Sequence, residues 1–109
     1  MAERKAEIKR ETLDMINEYI SELNLNNFRI KTAVLFGSYA KGSYDEWSDI
    51  DLALVSDDFT GNRFNDKEKI RKFNAKFNYM ISPMPYRTVD FKKENLFVDE
   101  ILSTGIRIV

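Results

Sequence analysis

The run DIDLALV, residues 49–55, constrains this chain more than any other stretch. Its apolar residues read as a buried strand, and a strand of that kind must be covered by a second layer. Yet Asp49 and Asp51 stand inside it. Carboxylates are rarely buried unless something pairs with them. Strand side chains two apart share a face, so the two acids project together, about 6–7 Å apart by the rise per residue. Ile50, Leu52 and Leu54 take the other face, toward a helix. Two carboxylates that close repel one another. One or two divalent cations between them reverse that cost. Paired cations bridged by carboxylates are a recurring device for in-line displacement at phosphorus.

The stretch just upstream supplies a second half. In VLFGS, Phe36 ends one strand, Gly37 permits an unusual backbone or a close approach, and Ser38 can cap a following turn. A strand–Gly–Ser–helix turn points backbone amides at an anion. A phosphate held there, beside metals on the next strand, outlines a triphosphate site. Lys41 is within reach of such a phosphate, though it reads equally well as a solvated loop lysine. Tyr39, Tyr44 and Trp47 lie between the half-motifs, and packing within that loop is the expectation for them. A third acid is sought by the same logic in YRTVDF, residues 86–91, read as a strand with Tyr86, Thr88 and Asp90 on one face. Asp90 beside Asp49 and Asp51 would complete a metal-binding trio. Arg87 alternates away from it.

The remaining pattern places these segments in an α/β domain. Ile8, Thr12, Met15, Ile16, Tyr19, Ile20 and Leu23 recur three and four apart, which predicts an amphipathic helix over 3–24. IKTAVLFG predicts the first strand. Residues 63–79 predict a second helix whose locally basic NDKEKIRK surface is a solvated face. SPMP ends that helix, because Pro83 and Pro85 cannot continue it. ENLFVDEILST predicts a third, short helix capped by Gly105, and IRIV a last small strand. The 109 residues suit one domain spanning 1–109.

Composition removes whole classes of chemistry. The chain has no Cys and no His, so disulfides, thiolate nucleophiles, Cys/His zinc sites and histidine acid–base catalysis are excluded. What remains is carboxylates, hydroxyls, Lys, Arg and backbone amides, which favour a hard cation such as magnesium. A net charge of −1 gives no basis for nucleic-acid binding through bulk charge. The charged start MAERKAEIKRE is not a secretory signal, and no run approaches the roughly 18 apolar residues of a membrane span. A cytoplasmic location is expected.

Taken together, GSYAKGSYDEWSDIDLALV resembles the GSx10DxD signature of the DNA polymerase β-like nucleotidyltransferase superfamily, with ten residues between Ser38 and Asp49. The resemblance runs from about Thr32 to Val109 and is closest to the minimal nucleotidyltransferases (MNT). It implies a nucleotidyltransferase fold, a small mixed sheet flanked by α-helices. It implies transfer of a nucleoside monophosphate from ATP or another nucleoside triphosphate to a hydroxyl. Asp49 and Asp51 would bind two Mg2+ ions. Asp90 would bind the catalytic ion and help deprotonate the acceptor. Gly37 and Ser38 would hold the β- and γ-phosphates. Minimal members resemble antitoxins that adenylylate a tyrosine of a partner HEPN ribonuclease, which implies a homo- or hetero-oligomer. Two alternatives stay open: a small-molecule nucleotidyltransferase of the aminoglycoside type acting as a dimer, and a non-catalytic binding module of the same fold.

Overall fold

The computed structural model describes residues 8–73 and 80–109. The first helix, α1 (Arg10–Leu25), buries Thr12, Ile16, Tyr19, Ile20 and Leu23 in the stripe that the three-and-four spacing predicts. Residues 3–7 of the predicted helix lie outside the described residues. Strand β1 (Thr32–Phe36) follows, then a single helical turn, α2 (Ser38–Lys41), and strand β2 (Ile50–Val55). Helix α3 (Arg63–Arg71) begins at Asn62, whose side chain accepts from the Asn65 amide. The rest of the predicted second helix, 74–79, lies outside the described residues. Strand β3 (Ile81–Tyr86), helix α4 (Leu96–Thr104) and strand β4 (Ile106–Arg107) complete the order.

The four strands form one sheet in the order β3-β2-β1-β4. β1 runs antiparallel to β2 and β4, while β2 and β3 run parallel, so the sheet is mixed. Alternation sorts the strands' side chains. Leu35, Ile50, Leu52, Leu54 and Ile81 pack with Ile16, Tyr19 and Leu23 of α1 and Ile70 of α3. The Tyr19 hydroxyl donates to the Ile70 carbonyl at 3.1 Å, tying the two helices together across this core. Val34, Ala53, Val55 and Tyr86 take the other face, beneath Val98 and Ile101 of α4.

The third strand is not where the sequence pattern puts it. SPMP is the strand itself, not a helix terminator followed by YRTVDF. The hydrogen bonds explain how it holds two prolines. Ile50 N–H donates to the Met80 carbonyl and Ser56 N–H to the Tyr86 carbonyl. In a parallel ladder the alternate residues 82 and 84 then also face β2, and positions 83 and 85 face outward. Among the described residues β3 is an edge strand, so the missing N–H groups of Pro83 and Pro85 fall on the side where no described strand pairs. Gly105 is the C-terminal cap of α4, as the sequence suggests, with its amide donating to the Ile101 carbonyl. It ends α4 with φ −81°, not in the left-handed region. Its lack of a side chain serves close approach instead, because a β-carbon there would meet the Ile101 carbonyl and the Val34 side chain at 2.5 Å.

Candidate active site

Asp51 is the first acid that the sheet carries toward its core. It pairs with Phe36 of β1 on one side and Ser82 of β3 on the other. Its side chain is half-buried, while Asp49, just ahead of β2, is exposed. Burial pushes the Asp51 carboxyl above its ordinary range, the Asp49 charge adds to that, and Lys67 of α3 opposes it. Among the described residues no hydrogen bond or ion pair reaches either carboxylate.

Gly37 holds the other half of the motif against Asp51. It has φ 72° and ψ −151°, a backbone that favours glycine. A β-carbon on Gly37 would collide with Asp51 Oδ2 and stand 3.2 Å from Cγ. The turn from β1 into α2 therefore passes in direct contact with the acid. The Gly37 carbonyl accepts from the Ala40 and Lys41 amides, both at 3.1 Å, which closes the turn. Ser38 and Tyr39 start the helix, where amides have no helical carbonyl to donate to. Lys41 points to α4, with its ammonium 3.9 Å from Glu100. Between the half-motifs, Tyr39 and Tyr44 stack at 4.2 Å, as loop packing predicts. Trp47 does not pack there and is 85% exposed.

The polar inventory thus consists of two neighbouring carboxylates without partners among the described residues and an amide-lined turn in contact with one of them. This donor set fits a hard dication whose remaining ligands come from elsewhere. A model of the nucleotidyltransferase domain family matches residues 13–108. The chain belongs to that family. Two relatives are proteins of Methanocaldococcus jannaschii. "Putative protein adenylyltransferase MJ0141" is 28% identical over 103 residues, covering 90% of this chain and 99% of that protein. "Putative protein adenylyltransferase MJ0604" is 49% identical over 43 residues, 38% of this chain and 43% of that protein. Two solved structures share the fold: a toxin–antitoxin with AMP-PNP (TM-score 0.64, 21% identity) and a mutant of the toxin–antitoxin MntA–HpeT (TM-score 0.61, 18% identity). Each comparison covers 85% of this chain and 71% of the other.

In this nucleotidyltransferase the expected third acid is elsewhere. Asp90 is not on a strand but in a 3-10 turn, Thr88–Asp90. Four strand positions, about 13 Å by the rise per residue, separate Ser82 from Tyr86 before the chain turns toward Asp90. Its carboxylate takes two hydrogen bonds from the Arg87 guanidinium, at 2.7 and 3.1 Å, and that pairing holds it below the usual carboxylate range. Asp90 lines a cavity of about 340 Å³ with Gly61, Arg63, Tyr86 and Arg87, at the far end of β3. Among the described residues no three acidic groups gather as a metal site. The sequence reading also passed over Ser82. The signal for it was the proline pair two residues apart, which suits an edge strand.

Proposed function

We propose that this chain transfers AMP from ATP to a hydroxyl of a protein partner and releases pyrophosphate. The observation that carries this reading is the contact between the Gly37 turn and a half-buried Asp51 that has no partner among the described residues. Such contact supports a turn that would bind the phosphates beside an acid that would bind their metal, as a triphosphate with its cation requires. The name of the MJ0141 relative, which this chain matches along nearly its whole length, supports a protein as acceptor.

Asp49 and Asp51 would hold Mg2+, and the Gly37–Ser38 turn would bind the β- and γ-phosphates. The metal, when bound, would neutralise phosphate charge and polarise the α-phosphate. The acceptor hydroxyl would give up its proton to solvent water as its oxygen bonds to the α-phosphorus; the bond from that phosphorus to the bridging oxygen would break, and pyrophosphate would leave with the electron pair. The resemblance to minimal nucleotidyltransferases, together with toxin–antitoxin structures of the same fold, supports a tyrosine of a HEPN toxin as the acceptor.

The test is incubation of the chain with each α-labelled nucleoside triphosphate, Mg2+ and the product of the neighbouring gene, followed by intact mass. The expected result is one or more added AMP groups on the partner and none on this chain. It should be lost in the Asp49→Asn/Asp51→Asn double variant. Equal inhibition of the partner by that double variant would show simple binding and overturn the catalytic reading. Labelling of a small alcohol in place of the partner would overturn the protein acceptor.

A further inference from the structure

The position that completes this site is on β3. Ser82 pairs with Asp51 in the parallel ladder. Paired residues of adjacent strands project from the same face, with strands about 4.8 Å apart. Asp51 therefore stands between an aromatic ring, Phe36, and a hydroxyl, Ser82. Ser82 is half-buried, and among the described residues its side chain makes no hydrogen bond. Further along that face of β3 come Met84 and Tyr86, which pack under α4. The strand ISPMPY contains no acid. On α4, Glu100 lies against Lys41 of α2.

Charge then sets the stoichiometry. Asp49 and Asp51 together offer two negative charges, enough for one dication. A second cation about 3.5–4 Å from the first would meet strong repulsion without further anionic oxygens. Ser82 supplies a hydroxyl where a third carboxylate would supply charge. We infer that Ser82 is the neutral third position of a two-carboxylate site, which holds one divalent cation alone and a second only when a nucleoside triphosphate adds its oxygens. The nucleotide half of this inference rests on the proposed function; the metal half does not.

Mn2+ titration of the intact chain, with free Mn2+ read by electron paramagnetic resonance, tests it with and without AMP-PNP. Wild type should bind one Mn2+ alone and two with AMP-PNP. Ser82→Asp should bind a second Mn2+ without nucleotide, or tighten the first by on the order of tenfold. Asp51→Asn should lose binding, and Asp90→Asn should match wild type within about twofold, given the Arg87 pairing of Asp90. Circular dichroism checks that each variant folds. The wild-type stoichiometry and the Asp90→Asn result carry the test even if Ser82→Asp does not fold. Two Mn2+ on wild type without nucleotide, or an Asp90→Asn loss equal to that of Asp51→Asn, overturns the inference. So does a folded Ser82→Asp that binds as wild type does, or a wild type that takes no second Mn2+ with AMP-PNP. If AMP transfer fails while the stoichiometries hold, the activity reading falls and the site stands. If transfer proceeds while wild type takes two Mn2+ unaided, the reverse is true.

Discussion

Gly37 meets two constraints that a larger residue cannot meet together. Its φ of 72° with ψ of −151° is a region essentially confined to glycine, which residues with a β-carbon enter at a cost of about 1–3 kcal/mol. The space a β-carbon needs is already filled by Asp51 Oδ2. Gly37→Ala should therefore push Asp51 aside as well as strain the turn. A melting temperature lower by roughly 5–15 °C and a loss of Mn2+ binding are the expected outcomes. An unchanged melt would mean that the turn relaxes freely. Asp51 itself acts against the metal-free fold. Its carboxyl is raised above 3.8 by burial and by Asp49. Folding thus favours the protonated acid. That favourable contribution is full below the unfolded value and fades as pH rises through the folded one. In metal-free buffer Asp51→Asn should melt higher than wild type at pH 7, and the gap should close as pH falls toward 4. Melting curves across that range check it. A gap that widens toward low pH would mean that Asp51 is stabilised as the anion.

At the scale of elements, local pattern and tertiary context contributed unequally. The α1 stripe, the strand before Gly37, the turn after it and the placing of Ile50, Leu52 and Leu54 on the face opposite Asp51 were legible, because each follows from a short period. β3 was not. Proline normally marks the absence of a strand, and only the position of ISPMPY at the sheet edge makes its outward prolines harmless. That one misplacement moved the third strand to 86–91 and drew Asp90 into the site. Asp66 was misread for a similar reason. NDKEKIRK looks like a solvated face, yet Asp66 is only 2% exposed. Its carboxylate accepts from the Thr60 amide and hydroxyl and from the Gly61 amide, all within 3.1 Å. The acid thus fixes the loop between β2 and α3. Asp66→Ala should leave those donors unpaired and cost about 3 kcal/mol or more. Chemical denaturation would measure the loss, and a cost below about 1 kcal/mol would mean that water replaces the carboxylate.

Across the whole molecule, what the sheet leaves open governs how the chain meets other proteins. The described part of the chain has no helix long and apolar enough to cross a membrane. Its sheet ends in β4, two residues long, and in β3, six residues long. An unpaired edge is a template for another strand. β4 is too short to serve well as one. β3 is long enough, but two of its outward positions are prolines, which cannot donate. The same two residues that hide the strand from sequence reading therefore protect its edge. Their side chains fall opposite Leu52 and Leu54 in the ladder, so a small apolar replacement keeps the core filled. The double variant Pro83→Val/Pro85→Val restores donors two residues apart along a strand of favourable propensity. It should self-associate as its concentration rises, while wild type keeps one mass over the same range. Light scattering coupled to size exclusion reads this directly. If the variant and wild type show the same mass at every concentration, the prolines do not guard the edge.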